Sequence, residues 1–162
     1  MRLRNVLITT TALVASLFLT SCGSGPNAAS RTIVRVTDGA EAAITANGNN
    51  LKVRNLLLIE LKDGSGTGVL VGSIINDAPK DDALLGISVN GINAKVTGIT
   101  TLMQNSVIQF EGPTANAKAV IPAMNVAAGN NVVVSLFFAH AGEVKINAIV
   151  RDQSDTYAGV TA

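Results

Sequence analysis

Sulfur, aromatic rings and imidazoles are nearly missing from this chain. Its 162 residues hold one cysteine (Cys22), one histidine (His140), one tyrosine (Tyr157), four phenylalanines and no tryptophan. A single cysteine excludes an internal disulfide, and so the fold must be held by its core. Charge is sparse and balanced, with twelve basic against eleven acidic residues. That balance leaves neither a basic patch for nucleic acid nor an acidic tail. No apolar run reaches the roughly 20 residues of a membrane-spanning helix. What the chain does have is aliphatic: Val, Ile, Leu and Ala, punctuated by Gly and Asn. β-branched residues between Gly/Asn clusters point to many short strands, and no sustained helical period is present.

The longest uncharged apolar stretch, Val6 to Leu19, follows Arg2 and Arg4 and ends in Leu19-Thr20-Ser21-Cys22. A basic start, an apolar middle and small residues before a cut make the plan of a secretory signal. The last four residues resemble the lipobox of bacterial lipoprotein precursors. That resemblance implies removal of residues 1–21 and a lipid on Cys22, where the thiolate is the nucleophile for diacylglyceryl transfer. An ordinary signal peptide, cleaved without lipidation, is the alternative. Two acyl chains give stable membrane attachment, at about 0.8 kcal/mol per buried methylene. The expected location is therefore the outer face of the cytoplasmic membrane. Removing residues 1–21 leaves 141 residues, the size of one domain. Ten basic and eleven acidic residues then remain.

Gly23 to Ser30 is small and polar, and reads as a flexible spacer. Residues 31–46 read either as a first hairpin or as an extended arm that orders against a partner. The arm is favoured because Ala-rich strands pack poorly, so residues 22–46 form the expected tether and 47–151 the expected domain. Leu51 to Leu61 starts alternating and becomes continuously apolar, as a strand buried between two layers does. Further strands are expected at Val69–Asn76, Leu84–Val89, Ala94–Ile99, Val107–Glu111, Ala117–Ile121, Val132–Ala139 and Val144–Val150. Asn90-Gly91 is the strongest hairpin signal, with Ala94–Ile99 expected to answer the strand before it. After Arg151 the tail, 152–162, is polar and expected to be loose. About eight strands at this spacing predict an all-β, antiparallel Greek-key β-sandwich of about 7–9 strands.

The segments Asp82-Ala83-Leu84-Leu85-Gly86-Ile87-Ser88, Val120-Ile121-Pro122 and Val134 to Val144 resemble the PCuAC-type periplasmic copper-chaperone domain, which has a cupredoxin-like sandwich. The likeness is closer to actinobacterial LpqE-like lipoproteins, a branch of that superfamily, and covers about residues 47–151. The superfamily implies Cu(I) bound by two histidines and two methionines, the last pair as His-x-Met. This chain has no His-x-Met, and the family's histidine positions fall near Ile99 and Asn116. The ligand set is therefore not implied here. The branch implies instead an accessory subunit on the outer face of the actinobacterial cytochrome bcc–oxidase supercomplex.

No other constellation of residues carries chemistry. Asp63 to Gly68 is glycine-rich but lacks a following Lys-Ser/Thr and a helix, so it reads as a β-turn and not as a phosphate loop. Asp77, Asp81 and Asp82 lack the alternating ligands of a calcium loop. Gly64-Ser65-Gly66 lacks the context of a nucleophile elbow for a triad using His140. Glu60, Glu111 and Glu143 sit on separate strands. His140 reads as a surface residue beside a turn, and Met103 and Met124 as gap-filling apolar residues. No cofactor, no catalytic residue and no metal ligand are expected. The function expected is a non-enzymatic, lipid-anchored partner of envelope membrane proteins. The alternative is a copper-binding or copper-insertion factor for the oxidase, using Met103, Met124 and His140.

Overall fold

The centre of the fold is a strand, Leu51–Glu60, whose second half is apolar on both faces. The computed structural model describes residues 38–45 and 48–162, all within the unit Thr37–Ala162. The expected signal segment, Cys22, the expected spacer, residues 31–37 and residues 46–47 lie outside the described residues.

In chain order the strands are β1 (Ala40–Ile44), β2 (Leu51–Glu60), β3 (Gly68–Asn76), β4 (Asp82–Val89), β5 (Ile92–Asn93) and β6 (Lys95–Gly98). They continue with β7 (Thr101–Leu102), β8 (Val107–Phe110), β9 (Ala117–Ile121), β10 (Asn131–Phe138) and β11 (Gly142–Asp152). A short 3-10 turn, Asp155–Tyr157, follows. The strand order is β5-β4-β10-β11-β2-β3-β8-β9-β6, with β1 beside β2, β7 beside β4, and β9 also touching β3. Pairing is antiparallel except for β11 with β2 and β8 with β9. The result is a nearly closed all-β sandwich, as the spacing of strands and turns predicts.

β2 explains much of the packing. Leu51 and Val53 face the main core, and after a bulge so do Leu56 and Leu58, although the parity has changed. The register against β3 shifts between Arg54 and Leu57, at Asn55, which has φ 50°. One extra residue in a strand turns every later side chain over. The opposite strand must be bare there: at Gly72, φ is 134°, and a Cβ would lie 2.9 Å from the Arg54 and Asn55 carbonyl oxygens. Leu57 and Ile59 consequently face outward, yet both are fully buried. They form a second cluster with Leu61, Val69, Val71 and Val160.

Three expectations are corrected here. Ala40–Ile44 is not a free arm: it pairs antiparallel with β2, from Ala40 opposite Leu56 to Ile44 opposite Leu51. The domain thus reaches back before residue 47, because Ala40, Ala42 and Ile44 pack against the main core. The C-terminal residues are not loose. Val160 is buried, the Gln153 side-chain amide donates to its carbonyl, and Gln153 Oε1 accepts the Lys62 N–H at 3.0 Å. Burying one such side chain is worth about 1.5–3 kcal/mol, and this segment is the second layer over β2. Finally, Asn90 and Gly91 do form a turn, with φ 48° and 85°, as a type I′ hairpin requires. The returning strand, however, has only two residues, Ile92 and Asn93. β6 then leaves to pair with β9.

Candidate functional site

Asp77 and Asp81 in the loop before β4 and Asp82 at its start do not form one site; each is committed to a different partner. Asp77 forms an ion pair with Lys52, and Asp81 Oδ1 accepts the Gln104 N–H at 3.0 Å. Asp82 is buried, at 6% exposure. Its Oδ1 accepts the N–H groups of Ala83 at 2.7 Å and His140 at 2.9 Å, and its Oδ2 that of Ala141 at 3.0 Å. One carboxylate thereby clamps the β10–β11 turn onto the start of β4. Burial pushes the carboxyl's pKa up. The backbone N–H groups of His140, Ala83 and Ala141, with the nearby imidazole, outweigh it and hold the group below the ordinary carboxylate value.

His140 stands on that turn with its side chain 71% exposed and Nδ1 3.5 Å from Asp82 Oδ1. On the other edge of β4, Leu102 pairs with Asp82, and Met103 follows it, 61% exposed. The fold therefore brings His140 and Met103 to the same end of β4, flanking Asp82. Met124 does not join them. It is buried, and its Sδ would lie 2.6 Å from a Cβ on Gly68. Its role is to fill the core against that glycine.

Asn76 supports the same end of the fold from beneath. Fully buried, it donates through Nδ2 to the carbonyls of Lys80 and Leu102, both at 2.8 Å. Its Oδ1 accepts the Ala78 N–H at 2.9 Å. Sequence reading passes over Asn76 and sees Asp82 only as one of three loop acids. An asparagine ending an apolar strand is an ordinary turn signal, and its three partners are set by the folded chain.

The positions where the resemblance puts the family's histidines are adjacent in space. Ile99 donates its N–H to the Asn116 carbonyl at 2.9 Å. Ile99 has no donor atom in its side chain. The Asn116 amide is spent on β8, accepting the Gln109 N–H and donating to the Val107 carbonyl, each at 2.8 Å. These residues do not fit a Cu(I) site. Among the described residues no three His, Cys, Asp or Glu side chains are grouped to hold a metal. Glu60 accepts the Ala128 N–H, Glu111 pairs with Lys118 and Glu143 with Lys145, so the three glutamates stay apart. Ser65 caps its own turn, its N–H bonded to Asp63 and its hydroxyl accepting the Thr67 N–H. One open groove, of about 220 Å³, is lined by Asp38, Arg151 and Tyr157 among others. Another, of about 340 Å³, is lined by Glu111, Asn116 and Lys118 among others. Neither contains His140 or a methionine.

Compared with known proteins, the chain matches no family model and no curated protein sequence. Solved structures do match it. The apo PCuAC domain from PmoF1 is 21% identical, with a TM-score of 0.58, over 70% of this chain and 99% of that domain. The copper-bound PCuAC domain from PmoF2 is 21% identical, with the same TM-score, over 70% and 98%. The apo PmoF2 PCuAC domain is 20% identical, with a TM-score of 0.56, over 71% and 96%. At this identity the likeness establishes the fold: the sandwich is of PCuAC type over nearly the whole of those domains.

Proposed function

We propose that this chain is a non-enzymatic copper-handling protein of the cell envelope, working on the outer face of the cytoplasmic membrane from a lipid on Cys22. Copper is here a cargo and not a resident cofactor. The observation that carries the reading is the match to almost the full length of a copper-bound PCuAC domain. It is supported by two exposed soft or borderline donors, Met103 and His140, at one end of the fold. Competition for Cu(I) against bicinchoninate tests it. A single Cu(I) held more tightly than micromolar supports the reading, and weaker binding removes it.

A second reading, a structural partner of a membrane complex, is favoured by a different observation. Leu85 (69% exposed), Val133 and Phe137 are large apolar side chains left exposed on β4 and β10. An exposed apolar patch is a usual mark of a contact surface. The cytochrome bcc–oxidase supercomplex suggested by the LpqE-like resemblance is the occupant this reading names. Co-migration with that complex in mildly solubilised native membranes supports it, and its absence discards it.

The anchor has its own test. Cys22→Ser should release the protein from membranes, since it removes the sulfur that would carry the lipid. Retention of the variant would show that something other than the lipid holds it there.

A further inference from the structure

Building on the copper-handling reading, we infer that His140 and Met103 form a Cu(I) contact site, with Asp82 as the residue that positions the imidazole. This location is distinct from the Ile99–Asn116 positions.

The argument begins with the imidazole. A metal-binding histidine usually directs its second ring nitrogen to a carboxylate, which sets the tautomer and the ring's orientation. Here Asp82 Oδ1 lies 3.5 Å from Nδ1, and the ring is otherwise 71% exposed. With the proton on Nδ1 toward the carboxylate, the lone pair of Nε2 points away from the clamp and toward solvent. The carboxylate cannot swing out to act as a ligand itself, because it already accepts three backbone N–H groups. It can orient the ring without competing for the ion.

The second donor comes from the other side of β4. Two interstrand steps, about 10 Å, separate the backbones that flank Asp82, within the combined reach of an imidazole and a methionine side chain. Met103 is the only exposed methionine among the described residues, since Met124 is buried beneath Gly68. Thioether and imidazole together favour Cu(I) over hard cations, which want carboxylate oxygens. The neighbouring acids are engaged elsewhere, Asp77 with Lys52 and Asp81 with the Gln104 N–H. Two protein donors leave the remaining coordination open to a receiving protein, which suits a carrier that hands its ion on.

The test is Cu(I) competition against bicinchoninate under ascorbate, on the intact detergent-solubilised chain. A Cys22→Ser form run alongside removes any copper binding by the Cys22 sulfur. His140→Ala should weaken binding at least 100-fold and Met103→Leu about tenfold; Met124→Leu should leave it unchanged. Both key variants lie at exposed positions and keep the fold. Asp82→Asn should weaken binding about 10- to 100-fold. Nitrogen-15 NMR of the His140 ring separates orientation from folding: wild type should carry its proton on Nδ1 and bind copper through Nε2. If wild type binds Cu(I) and His140→Ala and Met103→Leu bind it equally well, the site is wrong while copper handling stands. If wild type binds none, both fall. An Nε2-protonated ring in the wild type overturns the role of Asp82.

Discussion

Asn76 and Asp82 do the same mechanical work at the same end of the sandwich, with opposite electrical character. Asn76 ends β3, is fully buried, and ties the 77–81 loop to β7 through Lys80, Leu102 and Ala78. Asp82 begins β4, is nearly as buried, and ties that strand to the β10–β11 turn through Ala83, His140 and Ala141. The asparagine needs two donors and one acceptor, so a neutral amide satisfies every partner. The carboxylate meets only N–H donors, so a charge serves best, and three donors offset much of its burial cost. The neutral clamp is purely structural. The charged one also puts a fixed negative charge beside an exposed imidazole, and only the charged clamp has a candidate site next to it.

This contrast can be broken by experiment. Asn76→Ala should have the largest effect, roughly 2–4 kcal/mol at neutral pH, because three backbone groups lose their partner, two of them in buried bonds. Urea unfolding should show the same deficit at pH 7 and pH 3, since no titrating group is involved. Asp82→Asn should cost less, about 1–2 kcal/mol at neutral pH, because one amide oxygen still accepts while the NH₂ faces a backbone donor. Its deficit should depend on pH. The folded-state pKa of Asp82 lies below its ordinary value. Its contribution is thus complete above about pH 4, where an unfolded aspartate titrates, and is lost as pH falls through the folded pKa. The variant's disadvantage should shrink in acid, and an equal deficit at pH 7 and pH 3 would mean that the charge does not matter. His140→Ala should be the mildest for stability, within about 0.5 kcal/mol at an exposed site, while its effect on Cu(I) binding is large. A large loss of stability instead would make the imidazole part of the clamp and not a ligand.

Much of the fold was legible in the residues. Alternation and turn glycines locate β2, β3, β4 and β8 to β11 to within a residue or two. Their boundaries depend on local chemistry, such as the I′ turn at Asn90-Gly91. The doubly apolar second half of β2 correctly signals two buried faces, but nothing local says that Val160, about a hundred residues later, covers the outer one. Short strands fared worse. Ala40–Ile44 has too little apolar surface to announce itself, and it forms because β2 offers it an edge. The site was legible only as an inventory. His140, Met103 and the acids can be counted in the sequence, whereas their placement follows from pairings across 58 residues, from Asp82 to His140.

The sequence by itself determined that the fold would be all-β, that no disulfide would hold it, and that the PCuAC ligand pattern would be missing. Period-two alternation, turn chemistry and residue counts are local properties, and they survive without a partner strand. Only the tertiary structure decided that three neighbouring aspartates would part company, that Met124 would sink into the core, and that Asp82 would meet His140. Those outcomes depend on which strands lie side by side. Pairing is set by the summed burial of the whole core, a long-range quantity that no single stretch of residues encodes.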